Sequence, residues 1–481
     1  MGTAGQTGDF GMIVRLLCLL PIAAGVICAQ NFDIVIANGR VMDPASGLDA
    51  VRNVGIRAGK IAAVSSAALT GRAVLDAKGL IVAPGFIDLH SHGQTPENYR
   101  YKAMDGVTSA LEMEVGVADV KAWYDKRQGQ TLINYGAAVG HIPVRMLVMH
   151  DPGRFLPTGD AAHRAATEGE IAECKRQIEQ GLRQGAAGVG MGMHYTPAAS
   201  RWEILEMFRV AARFHAACFV HLRSVGEESV PALEEVLAAS AITGAPLHVC
   251  HITSSGLRAT PRLLQMIAEA RARKLDVTTE LYPYTAAMTA IESAAFDPGW
   301  QSLLGIDFHD LQWAETGERL TAASFARYRR MGGGVILHMI PDSALQAAMA
   351  SPFAMIASDG ALVNGKGHPR SAGTYARILG RYVRETGALS LMEAIRKMSL
   401  MPAQRLQDRV PMMRNKGRIR EGADADLTLF DPATVADAAT YEQPAKYSIG
   451  IRYVLVNGVP VVSEGRLQAV TPGRAIRAPA P

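Results

Sequence analysis

The sequence predicts an α/β protein: a (β/α)8 barrel of the TIM type, joined to a small β-sandwich domain built from both ends of the chain. Three observations carry this expectation. Eight apolar runs alternate with helical stretches, both flanks read as strands and turns, and histidines and carboxylates gather where the apolar runs stop. The chain has 481 residues, 48% hydrophobic and 20% charged, which is globular composition with enough length for a large core. A net charge of +4 without any basic run leaves no electrostatic footprint for nucleic acid, so a small-molecule substrate is expected.

Residues 1–29 read as a signal peptide. The stretch "MIVRLLCLLPIAAGVICAQ", Met12 to Gln30, has an arginine near its start, about a dozen apolar residues and small residues before a cleavage point after Ala29. It is short for a membrane span, so an exported, periplasmic or secreted protein with no membrane attachment after cleavage is expected. Cys28 raises a lipoprotein reading that Val26 and Ile27 fit poorly. Cleavage would leave Cys174, Cys218 and Cys250, an odd and widely spaced set that implies no disulfide framework.

Residues 30–84 and 408–481 are assigned to the sandwich. Stretches such as "FDIVIANGRVMDPASG" and "IRYVLVNGVPVVSEGR" alternate apolar and polar residues around Asn-Gly or Gly turns. Residues 85–407 are assigned to the barrel. Its eight runs are "LIVAPGFIDLH", "GVTSALEME", "LINYGAAVGH", "AAGVGMGM", "ACFVHLR", "PLHVCHI", "LDVTTELYPY" and "FAMIASDG". Between most of them lie segments such as "EGEIAECKRQIEQGLRQG", whose apolar residues recur at spacings of three and four. No Gly-rich phosphate turn follows the first run, which weighs against a doubly wound sheet. A long segment at about 287–352 separates the last two barrel strands and is expected to form a lid.

Barrel active sites lie at the C-terminal ends of the strands. There this chain places His90 and His92 on the first strand, Glu112 and Glu114 on the second, His221 on the fifth, His251 on the sixth and Asp359 on the eighth. A lone histidine on an apolar strand is most often a core residue with a satisfied hydrogen bond. Five strands delivering imidazoles and carboxylates to one rim instead point to a metal centre holding one or two divalent ions, with zinc the expected metal. Glu112 and Glu114 share a strand face, and either could bridge two ions; Glu114 lies nearer the rim and is preferred, with Glu112 as second choice and as a partner for a neighbouring side chain.

These stretches, with "GAAVGHIPVR", "VHLRS", "HITSSG", "HPRSAGTYARILGRYVRE" and "GADADLTLFDP", resemble the amidohydrolase superfamily and, within it, the D-aminoacylase (N-acyl-D-amino-acid deacylase) family from about Phe32 to Arg466. The resemblance implies that His90 and His92 ligate one metal and His221 and His251 the other, with Asp359 as both metal contact and general base. It also places Tyr284 and Arg370 near substrate. Arg223, two residues beyond His221, is expected to hold a substrate carboxylate, and Tyr195 to line the pocket. Two departures stand out: the second strand carries glutamates where the family has a cysteine ligand, and Thr253 stands where it has lysine. The expected activity is hydrolysis of the linear amide of an N-acyl amino acid with a free carboxylate. A cyclic-amide hydrolase or a carboxypeptidase-like dipeptidase is the alternative within the superfamily, and a non-catalytic exported metal-binding protein the alternative outside it.

Overall fold

A computed structural model describes residues 1–2, 5–8 and 31–479. The signal segment expected over residues 1–29 therefore falls almost entirely outside the described residues. Eight parallel strands form the barrel sheet in chain order: Phe86–Asp88, Val107–Val117, Asn134–Gly140, Val189–Gly192, Cys218–His221, Leu247–Val249, Val277–Leu281 and Ala354–Ile356. The circle closes at the rim, where Ser91 and Gly360 form a parallel bridge and the Asp359 N–H donates to the His90 carbonyl at 2.7 Å. All eight apolar runs therefore become barrel strands.

The strands are short and buried because helices cover them. In the helix Glu168–Arg183, Ile171, Cys174, Ile178 and Leu182 point inward at helical spacing, and Thr167 and Glu170 cap its first turn reciprocally. Val220, Leu247, Val277 and Ile356 pack outward against such helices. Leu111, Met113, Phe219, Cys250 and Met355 form a second apolar cluster. Among the described residues no helix is long and apolar enough to cross a membrane.

Both flanks meet in one nine-stranded sheet. The strand Ile81–Pro84 pairs antiparallel with Leu427–Phe430, so the N-terminal strands 31–84 and the C-terminal strands 427–467 share one ladder. Gly85 carries the chain from this sheet into the barrel; a Cβ there would lie 2.3 Å from the Thr108 side chain, so no larger residue fits the junction. A buried polar cluster ties sheet to barrel. Lys416 Nζ contacts Asp426 at 2.6 Å and Asp424 at 3.0 Å, while Asp426 accepts from Asn134 Nδ2 at 3.0 Å and from the Asn457 N–H at 2.6 Å.

The segment after the seventh barrel strand folds as a small unit. Ala286–Ala290, Gly334–His338 and Leu311–Trp313 form a three-stranded antiparallel sheet beside an apolar cluster that includes Phe296, Trp300, Trp313 and Tyr328. Its first strand runs along the mouth of the barrel.

Asp426→Ala removes one counter-ion of buried Lys416 and two further hydrogen bonds while Asp424 stays in place. Urea unfolding should show a loss of roughly 3 kcal/mol, the lower end for breaking a buried ion pair; an unchanged midpoint and slope would show that the cluster does not hold sheet to barrel.

Candidate metal centre

The second strand carries Glu114 into the barrel mouth, and its two carboxylate oxygens face different partners. Oε1 lies 2.7 Å from His221 Nδ1 and 3.0 Å from His251 Nε2. Oε2 lies 3.2 Å from His90 Nε2 and 3.3 Å from His92 Nε2. Asp359 Oδ1 completes this second group at 3.4 Å from His90 and 3.2 Å from His92, whose Nε2 atoms are 3.1 Å apart. Two donor groups thus share one carboxylate: His90, His92, Glu114 and Asp359, and Glu114, His221 and His251.

The donor chemistry fits a divalent cation. Ligand bonds of ~2.0–2.1 Å in a tetrahedron put neighbouring ligand atoms ~3.3 Å apart, and the five contacts of the first group span 3.1 to 3.4 Å. Two imidazole nitrogens turned toward each other and toward two carboxylate oxygens suit a cation between them. The electrostatics agree. Burial opposes charge on His90, but the carboxylates of Asp359, Glu280 and Glu114 outweigh it and hold its proton well above the ordinary histidine range. His92 is raised in the same way by Glu112 and Asp359 against its own burial. Burial likewise opposes charge on Glu114, and His90, His221 and His251 hold it well below the usual carboxylate range. Positive charge is thus stabilised around His90 and His92, whereas burial and His251 lower His221.

A surrounding layer fixes the donors. Glu112 accepts on Oε1 from the Val115 and Gly116 N–H groups, both at 3.2 Å, and its Oε2 lies 2.8 Å from His92 Nδ1. Glu280 Oε1 lies 2.5 Å from His90 Nδ1, and its Oε2 is 3.1 Å from His248 Nε2; His248 Nδ1 in turn meets Thr278 Oγ1 at 2.8 Å. A ring N–H bound to a carboxylate leaves Nε2 with its lone pair free for a ligand bond. Sequence reasoning missed Glu280, although its signal was visible: an acid inside the strand "VTTEL" must find a buried partner. His251 and Asp359 have left-handed backbones, φ 27° and 51°. Such conformations cost on the order of 1–3 kcal/mol each and persist where surroundings dictate them. Around Asp359 those surroundings include Lys102 Nζ, 2.6 Å from Ser358 Oγ, and Ser358 Oγ, which donates to Asp88 at 2.6 Å.

The cluster opens into a cavity of about 400 Å³ lined by Tyr195, Tyr282, Arg370 and the inserted strand. Arg370 Nη1 lies 3.0 Å from Asp359 Oδ2, its guanidinium sits 4.4 Å over the Tyr282 ring, and Nη2 donates to the Met288 carbonyl at 3.3 Å. Its buried Nε and Nη1 have no hydrogen-bond partner. Tyr195 packs edge-on to His221 and accepts from Thr289 Oγ1 at 3.0 Å.

Two expectations are corrected. Arg223 does not face the cavity. The strand ends at His221, so two-residue alternation no longer applies, and the guanidinium turns to Glu235 at 2.6 and 2.8 Å and to the carbonyls of Pro197 and Ala199. Tyr284 lies behind the wall, edge-on to His368 and under Arg377, and Tyr282 of the same "YPY" lines the cavity instead.

Glu114→Gln should leave at most one bound metal per chain by elemental analysis. Glu112→Gln and Glu280→Gln should keep the site and weaken metal affinity ~10–100-fold in chelator competition, as lost partners of ligands do. Affinity in the unaltered protein should rise from pH 6 to pH 8, because metal displaces the protons that the carboxylates hold on His90 and His92. Two metals retained by the Glu114 variant would remove it as the shared ligand.

Residues 73–258 and 225–462 match the profile described as "Amidohydrolase family". The N-acyl-D-glutamate deacylase of Alcaligenes xylosoxydans xylosoxydans is 32% identical over 93% of this chain and 97% of its own, and the D-aminoacylase of the same organism 30% over 93% and 98%. Its N-acyl-D-aspartate deacylase is also 30% identical. The crystal structure of N-acyl-D-glutamate deacylase from Bordetella bronchiseptica, complexed with zinc and a phosphonate mimic of the tetrahedral intermediate, superposes with TM-score 0.81 at 28% identity over 93% of this chain and all of that one. A D-hydantoinase structure, 18% identical with TM-score 0.63, shares the fold. With its rim of histidines and carboxylates, the chain belongs to the amidohydrolase family, in its D-aminoacylase branch, and is a metal-dependent hydrolase of carbon–nitrogen bonds.

Proposed function

We propose that the protein deacylates an N-acyl-D-amino acid, with one or two divalent ions, zinc foremost, held by His90, His92, Glu114 and Asp359 and by Glu114, His221 and His251. The observation that carries this reading is the position of Arg370. A buried guanidinium whose Nε has no hydrogen-bond partner stands on the wall of the cavity, its Nη1 3.0 Å from Asp359. A carboxylate anchor next to a general base suits a substrate whose carboxylate lies a few bonds from its scissile amide. The D configuration is supported by the likeness to the D-amino-acid deacylases.

A divalent ion bound there would lower the pKa of a water to ~7 and polarise the amide carbonyl. The chain's own groups do the rest. Arg370 takes the substrate carboxylate through charge-assisted hydrogen bonds and so sets the amide over the cluster. Asp359, which Arg370 and His90 hold ionised against the effect of burial, accepts the proton of the attacking water. As the water oxygen joins the acyl carbon and the C–N bond breaks, Asp359 returns that proton to the leaving nitrogen. Tyr195 and the Phe155 ring, 5.3 Å from that of His92, wall the reacting amide.

Export of the mature chain belongs to the same proposal. It is supported by the arginine and apolar run of Met12 to Gln30, and N-terminal sequencing of protein from the periplasm or medium should begin at Gln30; an intact Met1 or Met12 start in the cytoplasm would refute it.

Asp359→Asn keeps the side chain's size but cannot take a proton. Its kcat on an N-acetyl-D-amino acid should fall by at least ~10²-fold while bound metal stays near normal. Turnover equal to that of the unaltered enzyme would take Asp359 out of the mechanism.

A further inference from the structure

We infer that the substrate carries a single carboxylate and an apolar amino-acid side chain, so that the enzyme discriminates against N-acyl derivatives of glutamate and aspartate. This rests on the deacylase reading and specifies its substrate. Overall likeness does not decide the point, since the similar proteins include enzymes for both acidic amino acids.

The cavity's charges decide it. Among the described residues that line it, Arg370 is the only lysine or arginine. The substrate's α-carboxylate uses that one cation. Away from the metal cluster a second carboxylate would find no further lysine or arginine, and the wall offers it only neutral donors such as the Tyr282 hydroxyl. His368, also in the wall, has both ring nitrogens engaged: Nε2 faces the Ala286 carbonyl at 3.0 Å and Nδ1 accepts the Arg370 N–H at 3.0 Å. The Thr289 hydroxyl donates to Tyr195.

The wall is apolar where the amino-acid side chain must go. Arg370 is tied to the inserted strand by its bond to the Met288 carbonyl, so the substrate's α-carbon, one bond from the anchored carboxylate, lies beside that strand. There Ala287, Leu337 and Met339 form the wall that its side chain meets. An ionised side chain placed against Ala287, Leu337 and Met339 loses its water without gaining a counter-ion, which is far more costly than a misfit of one methylene.

The test uses metal-loaded full-length enzyme and N-acetyl leucine, phenylalanine, glutamate and aspartate, each as both enantiomers. The leucine and phenylalanine derivatives should exceed the acidic pair by at least ~100-fold in kcat/KM. Ala287→Arg, which adds a cation to the side-chain wall, should narrow that gap tenfold or more by raising the rate on the glutamate derivative; the ratio in the unaltered enzyme decides the matter should this variant fail to fold. Equal or faster hydrolysis of the glutamate or aspartate derivative overturns the inference and leaves the deacylase reading standing. Hydrolysis of none of the compounds overturns the deacylase reading, and the inference with it.

Discussion

The carboxylate of Glu114 is the contact on which the rest of the centre depends. It is 3% exposed, and its two oxygens meet four imidazoles carried by three other barrel elements. A single buried anion among four histidines would be costly to desolvate if it were not matched on both sides. That match requires the first, second, fifth and sixth strands to arrive at one height. The barrel supplies this through its parallel register, and Asp359 enters from the eighth strand through the bridge that closes the circle.

Around that contact lies a layer whose work is orientation. Glu112 and Glu280 each take the second nitrogen of one histidine of the "HSH" pair, and Glu280 is held in turn by His248 and Thr278. Asp88, Lys102 and Ser358 hold the turn in which Asp359 adopts its strained backbone. The strain at Asp359 is thus offset by hydrogen bonds from the chain itself, which is what a preorganised site needs.

The inserted sheet gives the barrel mouth its chemical character. It is fastened to Arg370 through the Met288 carbonyl and to Tyr195 through Thr289, so the inserted strand and the side chains at the barrel mouth are joined by hydrogen bonds.

The sequence by itself determined the barrel, because short apolar runs alternating with period-three-and-four helices leave few other folds. It also pointed to the histidines and carboxylates that the fold gathers at the rim, because an imidazole or carboxylate at the end of a buried strand has few places to go. Tertiary structure alone decided which of two nearby equivalents faces the site. Glu112 and Glu114 share a face in sequence, yet the curl of the strand at the rim sends one to a ring nitrogen and two N–H groups and the other to the centre of the cluster. Arg223 and Tyr284 looked equally placed, but the fifth strand stops at His221 and frees Arg223 to pair with a helix, while the turn at "YPY" presents Tyr282 and hides Tyr284. Alternation is a local rule that holds only while a strand lasts, and a barrel rim is where strands end, so the choice falls to whichever distant charge or ring the fold brings within reach.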